Sequence, residues 1–235
     1  MTPATRATLT EQLAVVCQTL ANGDAPRQLA PHLAGANLVA LAKEDGGLRP
    51  IAVGEILRRL TGNVLCEHIK GRARQQLWPL QTGCCSPLGA EATVHAVRQW
   101  CERNASVNGK VLLKLDFTNA FNSLDRGSAL RAVRSRFPEL ERWARWTYAE
   151  PSNLRSGSHV ISSQAGVQQG DPLGPLIFSL TVQTVLEELA ADTSLDLHAF
   201  YSDDGFLAGP TESVARALAM LQRRRPTLGL HLNLG

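Results

Sequence analysis

Asp203 and Asp204 stand side by side in the run 198–207, between apolar residues and directly before Gly205. An Asp-Gly pair between β-type segments signals a hairpin turn, which predicts two carboxylates at the rim of a sheet. Charges so placed repel unless a cation shares the site. Hard divalent cations such as magnesium prefer carboxylate oxygen and keep positions open for substrate phosphates. Asp116 offers a third carboxylate, at the end of the apolar run 111–115 that only Lys114 interrupts. An acidic residue at the end of a buried strand, before a helical turn, is where open α/β sheets place ligand-binding groups. Read locally, Asp116 also suits the N-cap of the helix that follows.

Between the acidic sites lies a loop carrying Gly166, Gln169, Gly170, Asp171 and Pro172. Pro172 or Pro175 suits the first turn of a helix. The apolar residues Leu173, Leu176, Ile177, Leu180 and Val185 then fall at helical spacing.

In this order the three segments resemble the core of reverse transcriptases, above all those of non-long-terminal-repeat retrotransposons and group II introns. Residues 116–121 are similar to the family's first palm motif, 169–178 to the second, and 201–204 to the catalytic hairpin. Upstream, residues 38–53, with Lys43 and the Arg49-Pro50-Ile51 element, look like the fingers hairpin. Downstream, residues 228–233 look like the strand that closes the palm. The resemblance implies an α+β fold, with a polymerase palm of antiparallel sheet backed by helices and a fingers subdomain. This is the right-hand architecture without its thumb. It divides the chain into a helical extension over 1–36 and a reverse transcriptase domain over 37–235, with 37–110 mainly fingers and 111–235 mainly palm.

The implied activity is RNA-directed DNA polymerisation, with an RNA template, a DNA primer and deoxynucleoside triphosphates as partners. Two divalent ions roughly 3.5 to 4 Å apart can activate the primer 3′-oxygen and neutralise the leaving pyrophosphate. Asp116, Asp203 and Asp204 are the expected ligands of two Mg2+ ions, with Mn2+ as the alternative metal. The backbone carbonyl of Phe117 completes the pocket by resemblance. Lys43 and Arg49, on the two arms of the fingers hairpin, are expected to close over the triphosphate, arginine through paired hydrogen bonds and lysine as a point charge. By resemblance, the Gln169 side chain lies near the sugar and Gly170 lets the backbone approach the nucleotide. Phe121, five residues after Asp116, is where the family sets an aromatic ring against the sugar 2′ position. Tyr201 and Ser202 would lie near the primer end.

Ser202 stands where relatives usually have an apolar residue, and Asn122 where aspartate is common. The chain stops at Gly235, before the lysine and thumb of relatives, so further domains of a longer polyprotein are expected. Two other readings differ in chemistry. An RNA-dependent RNA polymerase shares the palm but would favour a small or polar residue at Phe121. A domesticated element would bind RNA without catalysis, and the intact carboxylates speak against it.

Composition agrees with this class. The chain has 235 residues, 44% hydrophobic and 19% charged, enough for a core and unlike a disordered segment. Its net charge is +3, and from Arg49 to Arg74 six Lys or Arg stand against two Glu. A basic flank beside an acidic pocket suits a protein that grips phosphates and holds metal. None of the five cysteines lies in a CxxC and no His-Cys grouping has zinc spacing, which points to reduced thiols in an intracellular compartment. No apolar run suits a signal or a membrane span.

The elements that must position these residues follow from periodicity. Helices are predicted over 7–21, 54–74, 90–103, 125–136, 138–149, 173–190 and 211–223. Hairpins are predicted over 37–53, 153–164 and 198–207, with strands at 111–116 and 228–233. The helix over 54–74 is expected to turn Ile56, Leu60, Val64, Leu65 and Ile69 inward, and that over 90–103 to turn in Ala90, Val94, Val97 and Cys101. Asp125, Glu150 and Asp171 read as cap or turn residues.

Overall fold

The computed structural model describes residues 2–42, 46–192 and 194–233. Helix α1 (Pro3–Ala21) is capped by Thr2, whose side chain accepts from the Thr5 amide. A short α2 (Ala30–Leu33) leads to the antiparallel pair β1 (Ala36–Ala42) and β2 (Leu48–Gly54). Lys43 and the predicted turn residues Glu44 and Asp45 lie outside the described residues. Then follow α3 (Ile56–Leu77), α4 (Gly89–Asn104), β3 (Lys110–Leu115), the single turn α5 (Ala120–Ser123), α6 (Arg126–Arg136) and α7 (Glu141–Tyr148). The chain continues through β4 (Ser152–Ser156), β5 (His159–Ser163), α8 (Gly174–Asp192), β6 (Leu197–Tyr201), β7 (Asp204–Pro210) and α9 (Thr211–Arg224).

Two sheets organise these elements. One runs β2-β1-β4-β5, and the other β3-β7-β6. The second is antiparallel throughout, with Leu115 opposite Gly205 and Phe200 opposite Gly205 on its two flanks. In the first, Ala36 and Asn37 pair in parallel with Leu154 and Arg155, which ties segments far apart in sequence into one sheet. Mixed strands and helices without strict alternation make an α+β fold.

The core includes α8, whose Leu176, Phe178, Leu180, Leu186 and Leu189 belong to one buried cluster with Phe200, Leu207 and the stacked pair Trp143–Trp146. This all-round apolar helix is what a central element requires. Asp125 caps α6 by accepting from the Ser128 amide at 2.7 Å, as its position in the sequence suggests. Among the described residues no helix is long and apolar enough to cross a membrane.

Several expectations need correction. In α3 the inward face is Arg58, Thr61, Gly62, Ile69, Ala73 and Leu77, while Ile56 is 77% and Val64 56% exposed. Close packing decides this face: Gly62 meets the Pro172 ring, which a methyl group would touch at 3.3 Å. In α4 the buried residues are Gly89 and Thr93 and Val94 is exposed, because Thr93 Oγ1 bonds Thr82 Oγ1 at 2.7 Å. Strand β3 is not buried along its length. It is an edge strand, and Val111 and Leu112 remain 37% and 38% exposed. The closing strand over 228–233 is replaced by a 3-10 turn (Arg225–Leu228) and a single bridge between Phe117 and Leu232. That bridge is still held by Thr118 donating to the His231 carbonyl at 2.8 Å.

Candidate active site

The hairpin turns two residues earlier than its Asp-Gly pair suggests. Tyr201 pairs with Asp204, so Ser202 and Asp203 form the two-residue loop and Gly205 lies within β7. Ser202 supplies the positive φ, +56°, that a tight hairpin needs. Gly205 serves packing instead, since a methyl group there would stand 2.3 Å from the Phe200 ring. The glycine lets that buried ring lie flat against β7 beneath the turn.

On the other flank, Asp116 follows and Asp204 precedes the last pair of the register, Leu115–Gly205. Asp116 does not cap α5, whose N-cap is Asn119. Its Oδ2 instead accepts from Asn233 Nδ2 at 3.0 Å, and its carbonyl from the Asn233 amide at 2.9 Å. Asp204 Oδ1 lies 3.6 Å from Lys114 Nζ, two residues before Asp116 and therefore on the same face of β3.

Asp116, Asp204 and Asn233 wall a cavity of about 820 Å3, together with Arg49, Pro50, Phe117, Thr118, Ala120, Gln169 and Asp203. Burial pushes the Asp203 carboxyl above the usual aspartate range, and Asp204 and Asp116 add to the rise while Arg49 opposes it. Asp203 thus lies within electrostatic reach of both Asp204 and Asp116. They are all hard oxygen donors, and the donor set fits a divalent cation with phosphate ligands. Among the described residues no three acidic, histidine or cysteine side chains are gathered tightly enough to enclose one ion. Asp116 is instead engaged by Asn233, and Asp204 by Lys114.

The loop over 166–173 is positioned by a buried network that sequence reasoning missed. Arg58, 2% exposed, donates to Asp171 Oδ2 at 2.6 Å, to Tyr148 Oη at 3.1 Å, to the Ala34 carbonyl at 2.7 Å and to the Gln168 side chain. Tyr148 also donates to Asp171. Asp171 Oδ1 accepts from the Leu173 amide at 3.0 Å, so the capping role expected of it is joined to a buried ion pair. Burial works against the Arg58 charge, yet Asp171 and Tyr148 hold the guanidinium above its usual value, and burial with Asp171 drives the Tyr148 phenol far above its usual range. The amide of Ala52 donates to the Gln169 carbonyl at 2.7 Å. Gly170, at φ +116°, takes a conformation that other residues rarely adopt, and a methyl group there would meet the Ala52 carbonyl at 2.4 Å. Its close approach is to β2, and through it the loop is locked to the strand that carries Arg49.

The structure therefore brings together Asp116, Phe117, Arg49, Gln169, Asp203 and Asp204. Phe121 does not wall the cavity. It stacks on Phe178 with centroids 4.6 Å apart, while its neighbour Ala120 faces the opening. Tyr201, 39% exposed at the end of β6, and Ser202, in the turn, do not line the cavity. Arg58 and Asn233 were missed. An arginine amid apolar residues at helical spacing was the available signal for Arg58. Asn233 gave none.

Comparison with known proteins agrees with this geometry. Residues 41–235 match the model of the family described as reverse transcriptase (RNA-dependent DNA polymerase). The chain is 24% identical over 226 residues to the retrotransposable element SLACS 132 kDa protein of Trypanosoma brucei gambiense, covering 93% of this chain and 18% of that protein. It is 26% identical over 216 residues to the retrovirus-related Pol polyprotein from type-1 retrotransposable element R2 of Nasonia vitripennis, covering 83% of this chain and 21% of that one. The chain thus spans about a fifth of the length of these relatives. In fold it is similar to apo telomerase of Candida tropicalis truncated from its C-terminal domain, with a TM-score of 0.63, 11% identity and 87% and 49% of the two chains covered. Telomerase of Candida albicans in complex with a fragment of telomeric RNA gives the same TM-score at 11% identity, with 89% and 42% covered. Sheet order, hairpin and family match converge on one conclusion: the chain belongs to the reverse transcriptase family, and its α+β fold is that of the right-hand polymerases.

Proposed function

We propose that this chain carries the catalytic centre of a retroelement reverse transcriptase, extending a DNA primer with deoxynucleotides along an RNA template. The reading rests on one observation: segments around residues 49, 116, 169 and 203, far apart in sequence, wall a single cavity. Asp116, Asp203, Asp204 and the Phe117 carbonyl would hold two Mg2+ ions. When bound, these supply charge neutralisation at the transferring phosphate and ease deprotonation of the attacking hydroxyl.

The chain's own residues do the positioning. Arg49, on β2, meets the triphosphate from the side opposite the carboxylates, and Lys43 of the preceding arm joins it in this reading. Gln169 is directed to the sugar by a loop that Arg58 and Asp171 hold from beneath. Phe121 supports the floor next to Ala120 and discriminates against a 2′-hydroxyl. Tyr201 and Ser202 meet the primer end. Residues 37–110 act mainly as fingers and 111–235 mainly as palm, and the centre works within a longer polyprotein.

The test is primer extension on an RNA template with Mg2+. Deoxynucleotide incorporation that disappears in Asp203→Asn supports the reading. Incorporation of ribonucleotides alone, or RNA binding with no incorporation in the full-length polyprotein, overturns it.

A further inference from the structure

The adjacent thiols Cys84 and Cys85 lie directly behind the catalytic hairpin, and the polymerase chemistry leaves them unused. Side chains of neighbouring residues in extended backbone point to opposite sides. Cys85 departs from that rule, with φ +58°, and its Sγ comes within 3.4 Å of Cys84 Sγ. Cys84 is buried and Cys85 half-buried, so only the second thiol is open to a reagent.

The remaining cysteines are differently placed. Cys66 of α3 is close enough to interact with both thiols, but its Sγ donates to the Pro172 carbonyl at 3.2 Å and burial pushes it up to about 12. Cys101 is exposed, and Cys17 lies on α1.

We propose that Cys84 and Cys85 form a modification site at which a hydroperoxide oxidises the pair to a vicinal disulfide. The Cys85 thiolate attacks a peroxide oxygen, the O–O bond breaks, and the departing oxygen takes up a proton to leave as water or alcohol. Cys85 is then a sulfenic acid. Cys84 sulfur attacks Cys85 sulfur, the S–O bond breaks, and hydroxide leaves as water with the Cys84 proton. Two thiols lose two electrons and one peroxide gains them. Acceptance of the Cys84 proton, with Lys70 nearby, lowers the Cys85 thiol from its usual value and favours the attacking thiolate.

The location couples the pair to the hairpin. The Thr82 amide and Oγ1 donate to the Phe200 carbonyl at 2.8 and 3.0 Å. A methyl group on Gly83 would meet the Ser202 amide nitrogen at 2.5 Å, so the segment has no slack toward the turn that carries Asp203. Closing the sulfurs from 3.4 Å to about 2.0 Å draws on that segment.

The experiment treats the 235-residue chain with hydrogen peroxide. It reads intact mass, peptide linkage and amide exchange over 197–210. The mass should fall by two hydrogens with the link mapped to Cys84–Cys85. Dithiothreitol should reverse it, and hairpin exchange should rise several-fold in the oxidised form. Cys101→Ser should behave as the wild type, and Cys84→Ser should stop at a sulfenic acid on Cys85 that dimedone traps. If Cys84→Ser does not fold, the wild-type linkage decides. A link through Cys66 or Cys101, absence of any link, or unchanged exchange in the hairpin overturns the proposal.

Discussion

Asp116 and Asp204 are the residues that follow and precede the last pair of the β3–β7 register, Leu115–Gly205. Directly opposed residues in antiparallel strands bring their Cα atoms within about 4.5–5.5 Å. Two like charges at that separation weaken a sheet unless something else offsets them. Asp203, in the adjoining turn, adds a third. Carboxylates so gathered cost the fold stability.

That cost is measurable. Asp203 titrates above the ordinary aspartate range in the folded chain. The group therefore destabilises the fold increasingly as pH rises from the unfolded value through the folded one, and constantly above that. In chelator at neutral pH, Asp203→Asn is expected to raise the melting temperature, on the order of 2 °C, as relief of a strained functional site does. The gain should vanish at a pH below the unfolded aspartate value. A lower melting temperature at neutral pH would contradict the repulsion.

Arg58 and Asp171 make the opposite case, a buried pair that fails when halved. Arg58→Ala or Asp171→Ala leaves an uncompensated buried charge and is expected to cost about 3–5 kcal/mol in urea unfolding. The double variant Arg58→Met with Asp171→Leu should recover much of that loss. Additive losses would show that the pair does not act as a unit.

Much of this was legible in the sequence, for reasons tied to particular elements. Hairpin 198–207 and helix 173–190 announce themselves because alternation and helical spacing are strong there, and both stand within two or three residues of expectation. The turn itself was displaced, since Gly205 reads as a turn residue although it makes room for Phe200. The faces of α3 and α4 were misread because Arg58, Thr61, Gly62 and Thr93, which are buried, are small or polar, and Gly62 and Thr93 answer to distant partners, Pro172 and Thr82. Asn233 reaches Asp116 across more than a hundred residues, and no local pattern encodes that contact.

Gly205→Ala tests the displaced turn. The added methyl would drive the Phe200 ring out of place, and overpacking of this kind costs about 1–3 kcal/mol. The variant should unfold at lower denaturant and extend primers at least tenfold more slowly. Unchanged extension would mean that the ring does not set the height of Asp203.

Phe121→Ala separates two roles of one side chain. Loss of the stack on Phe178 should cost about 3 kcal/mol. If the ring also excludes a 2′-hydroxyl, ribonucleotide incorporation should rise relative to deoxynucleotide. A stability loss with no change in that ratio would leave Phe121 as a core residue only.

The shared cation site is tested most directly by Mn2+ binding, followed by electron paramagnetic resonance on the wild-type chain, Asp116→Asn and Asp203→Asn. Binding by the wild type that weakens at least tenfold in both variants is the predicted result. Equal affinity in all three proteins, or loss in one variant alone, would contradict a site built from both carboxylates.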